Sequence, residues 1–399
     1  MEAARRFAKQ PSDNLSAHEI QQLKRVADSI RLLTIDAVQK ANSGHPGMPL
    51  GMADVATVLW LRHLKHAPSA PDWPNRDRFV LSAGHGSMLL YSLLYLTGYD
   101  VSLEDLRQFR QLDSKTPGHP EYGHTPGVEI TTGPLGQGIA SAVGMALGEQ
   151  ILRESYNRPD FPVVDHFTYV LASDGDLMEG ISHEAASLAG HLGLGKLIVL
   201  YDDNHISIDG STDLAFSERV TERFRAYGWQ VLEADGHDVQ SVDTAILQAK
   251  HNTTQPTLIA CRTVIGYGSP HRAGTAKVHG EPLGEEEWRL TRATLGFADA
   301  DWFQIPEEAL KIARQSALRG TEAYQQWQQL ADRFRQTYPD VATELFQRLE
   351  NRLPANWDTF RPEFDASKPL ATRAASGKVL EKLTAAIPQL IGGSADLSG

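Results

Sequence analysis

Two kinds of apolar pattern alternate along the first 270 or so residues. Short continuous runs at 78–82, 168–172, 197–201, 230–233 and 257–262 are rich in branched and aromatic side chains, and they predict strands. Longer segments at 17–40, 52–63, 86–96, 137–154, 182–192, 218–227 and 240–250 repeat apolar residues every three or four positions, and they predict helices. This alternation predicts an α/β fold: a doubly wound, mostly parallel sheet with helices on both faces. From about 281 to 365 the pattern turns charged and helical, with tryptophans and no strand, and reads as a helical connector or as a lid on the first domain. A new unit begins near Ala366 with a helix at 372–386 and an apolar strand at 389–391. The expected organisation is therefore 1–280, 281–365 and 366–399, the last being the beginning of a further domain.

Composition narrows the class. With 38 basic and 50 acidic residues the net charge is −12, which argues against a nucleic-acid surface and requires cations to be focused locally if the substrate is anionic. The one cysteine, Cys261, cannot form an internal disulfide; it lies in an apolar run and reads as a buried structural thiol of a reducing compartment, the cytoplasm. Arg5, Arg6 and Lys9 precede no apolar core, so no secretory signal is read. The most apolar helix, 139–152, is too short to span a bilayer, and no membrane partner is expected.

Candidate chemistry concentrates in two polar loops, Ser173-Asp174-Gly175-Asp176-Leu177-Met178-Glu179-Gly180 and Tyr201-Asp202-Asp203-Asn204-His205-Ile206. Each follows a predicted strand, with a helix between them, so both emerge at the carboxyl edge of a parallel sheet, where open α/β sheets place ligands. Asp174 alone reads as an acidic helix cap. With Asn204 on the next loop it supplies hard oxygen ligands, and Mg²⁺ prefers a few of these supplemented by phosphate oxygens and water. The pair points to a metal-bridged diphosphate. Four of the 15 histidines, His45, His85, His119 and His279, lie in loops flanked by glycine or proline rather than on a periodic face. Such loops can gather imidazoles at one site.

The Asp174 and Asn204 loops resemble the metal–diphosphate motif of thiamine diphosphate enzymes, with Ser173 standing where that motif has its first glycine. Further segments narrow the resemblance to the transketolase family: Asn42-Ser43-Gly44-His45-Pro46-Gly47, Ser82-Ala83-Gly84-His85-Gly86, Thr116-Pro117-Gly118-His119-Pro120-Glu121 and Thr131-Thr132-Gly133-Pro134-Leu135-Gly136-Gln137-Gly138. Gly266-Tyr267-Gly268-Ser269, Val278-His279-Gly280, Ala371-Thr372-Arg373 and Gly392-Gly393-Ser394-Ala395-Asp396-Leu397 complete the series, whose order and spacing are specific together.

The resemblance implies a thiamine diphosphate-binding fold, a thiamine diphosphate and Mg²⁺ requirement (Ca²⁺ or other divalent ions substituting), and transfer of a two-carbon glycolaldehyde unit between sugar phosphates. It implies Asp174, Asn204 and the main-chain carbonyl of Ile206 as metal ligands. It implies His85, Gly133, Pro134, Leu135, Gly175, Asn204, His279 and Asp396 as cofactor contacts. His45, His119 and His279 would meet substrate oxygens, His45 and His279 also serving catalysis, and Arg373 would anchor a sugar phosphate. Glu179 has two readings, a carboxylate relay across a dimer interface and a plain complement to the helix dipole. Asp176 stands where many relatives have cysteine and is expected to point away from the diphosphate. In this family the carboxylate that activates the aminopyrimidine lies on later domains, so the chain is expected to hold the diphosphate-binding half and to be inactive alone. A homodimer of the complete protein, or a complementing C-terminal chain, is the expected partner. The competing readings are a non-catalytic truncated module or a subunit of a split enzyme and, within the class, a dihydroxyacetone synthase.

Overall fold

A computed structural model describes residues 14–393. The first helix, α1 (Ala17–Ala41), begins where the sequence supplies a capping box. Ser16 Oγ accepts the Glu19 N–H, and the Glu19 carboxylate returns to the Ser16 N–H at 2.8 Å. α1 stops at Asn42, whose φ of 49° is left-handed. Then come α2 (Gly47–Val58), β1 (Arg78–Leu81), α3 (Ser87–Thr97), α4 (Leu103–Arg107), α5 (Gln137–Tyr156), β2 (Thr168–Ser173), α6 (Asp174–Met178), α7 (Gly180–His191) and β3 (Leu197–Asp203). A two-residue hairpin, β4 (Ile206–Ser207) and β5 (Gly210–Ser211), precedes α8 (Val220–Ala226), β6 (Gln230–Asp235), α9 (Val239–His251) and β7 (Thr257–Arg262). The chain then turns helical: α10 (Glu285–Thr294), α11 (Glu307–Thr337), α12 (Pro339–Leu349) and α13 (Thr372–Ala386).

The five predicted strands form one parallel sheet in the order β1-β2-β3-β7-β6. Their apolar runs are continuous because both faces are covered. Phe79, Leu81, Tyr169, Leu171, Ile198, Leu200, Ile259 and Cys261 join one core with α1, α2, α3 and α9. Val80, Val170, Ala172, Leu197, Val199, Tyr201, Leu258 and Ala260 join another with α5, α7 and α8. Fully burying a branched or aromatic side chain is worth about 1.5–3 kcal/mol, and alternation along each strand divides that gain between the two cores. Cys261 is buried and free, as expected, and burial pushes its thiol up.

Three sequence expectations need correction. The second helix starts at Gly47, not 52, and its last predicted residues, Leu59–His63, form a π-turn. All of Gly47–Val58 is buried, so no apolar stripe marks where the helix begins. The first residues of the Asp174 loop are not irregular but form the short helix α6. Residues 389–391 are not a strand: the Leu390 N–H closes a turn onto the Ile387 carbonyl at 2.9 Å, and no described residue offers that segment a ladder.

The chain divides into two compact units, residues to 155 with 164–328, and 156–163 with residues from 329 on. The first holds the sheet. In the second, Phe161 packs its ring against Phe334 and Tyr338, and the Tyr156 hydroxyl donates to Glu344 at 2.8 Å. No residue of α13 is buried. Among the described residues no helix is long and apolar enough to cross a membrane.

Candidate active site

β2 and β3 are neighbours, with Ser173 opposite Asp202, so the two polar loops leave the sheet side by side. The Asp174 carboxylate is buried; it accepts the Tyr201 hydroxyl and, at 3.1 Å, the His205 N–H. Asn204 Nδ2 donates to Asp202 at 2.8 Å, while its Oδ1 accepts the Ile206 N–H at 2.9 Å. Asp202 is fully buried and also accepts the Thr263 hydroxyl. Asp203 pairs with Arg262 at 2.8 Å. Burial foremost, then the neighbouring Asp203, pushes Asp174 up to about 6. Burial again, with Asp174 and Asp203 adding, pushes Asp202 up to about 7. Clustered carboxylates raised in this way gain most from a cation. Asp174 and Asn204 offer hard oxygen donors, the kind a divalent ion shared with a diphosphate prefers, and among the described residues no third His, Cys, Asp or Glu completes a metal-ligand group with them.

The glycine-rich loop lies directly beside them. Gly133 has φ 147° and Gly136 φ 80°, conformations that favour glycine. A Cβ on Gly84 would fall 2.5 Å from Thr132 Oγ1 and 2.8 Å from the Gly133 nitrogen, so these loops touch backbone to backbone. Gly175 faces Leu135. Asp176 is turned inward: its carboxylate accepts the Gly136 N–H at 2.6 Å and bonds Ser82, whose Oγ accepts the Ile139 N–H at 2.8 Å. The start of α5 is thereby tied to the end of β1. The Gly136 and Ile139 N–H groups are thereby engaged within the protein, which fixes the loop but does not leave them for a ligand.

The four histidines converge. His45 precedes α2, His85 sits in a 3₁₀ turn after β1, His119 lies between α4 and α5, and His279 follows a 3₁₀ turn after β7. Ring centroids are 5.2 Å apart for His45–His85, 5.8 Å for His45–His279, 5.1 Å for His85–His279 and 6.4 Å for His45–His119. Burial, with His279, Arg110 and His119 adding, pushes His45 down to about 4. Burial and the three neighbouring imidazoles push His85 down to about 3. His119 and His279 are also lowered, chiefly by burial. The cluster is therefore neutral near physiological pH, each ring offering one donor and one acceptor. His279 Nδ1 is buried with no hydrogen-bond partner.

Other predicted residues are placed differently. Glu179 is exposed at the start of α7, its Cβ against Gly136. Arg373 is exposed in the first turn of α13, in the second unit. Asp396 lies outside the described residues. Sequence reasoning gave no role to Tyr201, Asp202 or Thr263, which hold the Asp174 and Asn204 side chains, nor to Arg110. The first two stand inside the quoted loop, where a phenol and a carboxylate next to a candidate ligand were a usable signal. A cleft of about 710 Å³ opens beside His119, lined also by Ser43, Arg110, Ser114 and Gly118. A cavity of about 800 Å³ borders Asp174 with Tyr201, Asp203, His237 and Arg262.

Residues 22–354 match the family described as "Transketolase, thiamine diphosphate binding domain". The chain is 53% identical over 384 residues to the transketolase of Geobacillus stearothermophilus, covering 96% of this chain and 57% of that protein. It is 54% identical over 381 residues to transketolase 2 of Escherichia coli K12, covering 94% and 57%. Among solved structures, the Pichia stipitis transketolase in complex with sedoheptulose 7-phosphate superposes with a TM-score of 0.89 at 47% identity, covering 94% of this chain and 56% of that one. The Leishmania mexicana transketolase gives 0.90 at 44% identity, with the same coverage. The chain thus spans little more than half the length of the relatives it matches.

Proposed function

The chain belongs to the transketolase family, and on that premise we propose that it forms the diphosphate- and metal-binding half of an enzyme moving a two-carbon glycolaldehyde unit from a ketose phosphate to an aldose phosphate. The observation that carries this reading is the meeting of the Asp174 and Asn204 loops, the Gly133 loop and four neutral imidazoles at one sheet edge. Thiamine diphosphate, when bound, supplies the electron sink for breaking and making a carbon–carbon bond beside a carbonyl.

In this proposal Asp174, Asn204 and the Ile206 carbonyl hold a Mg²⁺ ion against the diphosphate. Gly133, Pro134, Leu135 and Gly175 would border the cofactor, with His85 and His279 on its diphosphate side. His45, His119 and His279 donate to the carbonyl and hydroxyl oxygens of a sugar phosphate. His45 and His279 also take up and return protons there. A neutral imidazole suits both tasks, because it can donate at one nitrogen and accept at the other. By the family resemblance Arg373 would anchor a sugar phosphate, Asp396 would contact the cofactor, and Glu179 would act across a subunit interface. The protein works in the cytoplasm as a homodimer or with a complementing chain. Its diphosphate-binding domain ends near 280 and its connector near 365, boundaries that limited proteolysis would reveal.

Calorimetric titration tests the core of the reading. Thiamine diphosphate should bind the wild-type protein only with Mg²⁺. Undiminished affinity in both Asp174→Ala and Asn204→Ala would sink the metal assignment.

A further inference from the structure

Arg110 stands in an unusual conformation beside the histidine cluster. Its φ is 61°, which a long side chain rarely adopts, and its N–H donates to the Thr116 carbonyl at 3.0 Å. Its guanidinium lies against Gly118, where an added Cβ would sit 3.2 Å from Cζ. From there Nη1 donates to Ser43 Oγ at 2.9 Å, and Nη2 points at His45 Nδ1 at 3.4 Å. The preceding Phe109 closes over Gly44, whose Cβ position is 2.9 Å from the Phe109 ring. Residues 109–118 thus clamp residues 43–45.

A guanidinium has five donors and no acceptor, and it keeps its proton in proteins. The nitrogen it faces must therefore offer a lone pair. A neutral imidazole carries one proton, so when Nδ1 accepts, that proton is on Nε2. The Nε2 edge of His45 faces Gly280, with an added Cβ 3.1 Å from Nε2, next to His279.

We propose that Arg110 is a positioning residue that sets the tautomer of His45, so that the ring presents Nε2–H to a substrate oxygen acceptor. The substrate half of this statement rests on the transketolase reading; the tautomer does not. Gly118 is part of the same device, since an added Cβ would lie 3.2 Å from Cζ and Nε and would displace the guanidinium from its place beside His45. The charged and titratable groups facing His45 are Arg110, His85, His119 and His279.

Long-range ¹H–¹⁵N correlation spectra of the ¹⁵N-histidine-labelled complete gene product read the tautomer directly, with His45→Gln assigning the signal. The expected wild-type pattern is protonated Nε2 and unprotonated Nδ1. Arg110→Gln should give mixed tautomers and a ring that titrates at higher pH. Gly118→Ala, which keeps the arginine but obstructs its approach, should do the same and serves if Arg110→Gln does not fold. Turnover with sugar phosphates should fall by about tenfold to a hundredfold in either variant at unchanged melting temperature, as for a misplaced catalytic group. A wild-type Nδ1–H tautomer would overturn the proposal, as would an Nε2–H pattern unchanged in both variants. A tautomer that switches in a protein without ketol transfer would uphold the positioning and sink the functional reading instead.

Discussion

The acids at the ends of β2 and β3 and the imidazoles around His45 lie at one sheet edge but are built in opposite ways. Asp174 and Asp202 take their places from the register of neighbouring strands, whereas the four histidines arrive on separate loops. Burial raises the acids, to about 6 and about 7, and lowers His45 to about 4 and His85 to about 3. Both groups are driven toward neutrality, since burial penalises whichever form is charged. What would relieve them differs. A divalent ion would restore charge to the acids, while the imidazoles need only an oxygen to hydrogen-bond. The acids respond to charge, whereas the imidazoles respond to hydrogen-bond partners, as the buried, unpartnered His279 Nδ1 shows.

The largest expected effect breaks the acidic side alone. Asp174→Ala and Asn204→Ala should abolish Mg²⁺-dependent thiamine diphosphate binding while circular dichroism and melting temperature stay close to wild type, because each removes one of few protein oxygens. Next, in the complete enzyme, His45→Ala, His119→Ala and His279→Ala should each lose transition-state stabilisation of roughly 2–4 kcal/mol, the worth of an oxyanion donor, with folding largely spared. Steady-state kinetics with a ketose and an aldose phosphate measures this, and wild-type rates in all three would identify them as bystanders.

A pH experiment sharpens the comparison further. The ordinary imidazole value is 6.5, so below it the unfolded chain binds more protons than folded His45 and His85, and stability falls as pH drops toward 4. Asp174, Asp176 and Asp202 act in the opposite sense. Their folded values of about 6 to 7 exceed the ordinary 3.8, so the folded chain binds more protons there and gains stability on acidification. The two contributions oppose each other between pH 6.5 and 4. Mg²⁺ with thiamine diphosphate should hold Asp174 charged and cancel part of the acidic contribution. Melting temperature should then fall more steeply with acidification than in the unliganded protein. Parallel curves would detach the acids from any cation. Smallest is Thr263→Val, which removes a hydroxyl donor to Asp202 and should weaken Mg²⁺–cofactor affinity by about tenfold, the lower end for outer-shell partners of a metal site.

Much of this site could be read in the sequence because its residues sit where patterns break. The apolar runs before Asp174 and Asn204 announce strands, and the ligands follow where those runs end. The five strands were legible for the same reason. Gly47–Val58 was placed poorly because uniform burial erases the periodicity that marks a helix face. The predicted strand at 389–391 failed because an apolar run alone supplies no hydrogen-bonding neighbour. Arg110 was passed over because its contacts with Ser43 and His45 join segments 65 and more residues apart. Asp202 was quoted without a role because its contact with Thr263 appears only when β3 and β7 pair.

Side chains of β3 alternate in direction, so Leu200 and Asp202 turn to one side of the sheet and Tyr201 to the other. Tyr201 can therefore reach Asp174 while Asp202 reaches Asn204 and Thr263. Removing one residue from this strand would leave its backbone able to pair yet exchange the two faces, bringing a carboxylate where the phenol stands. The coding segment for the apolar residues 197–200 should accordingly accept conservative replacements more readily than single-codon gains or losses, and length change nearby should fall at residues 208 and 209, in the turn between β4 and β5.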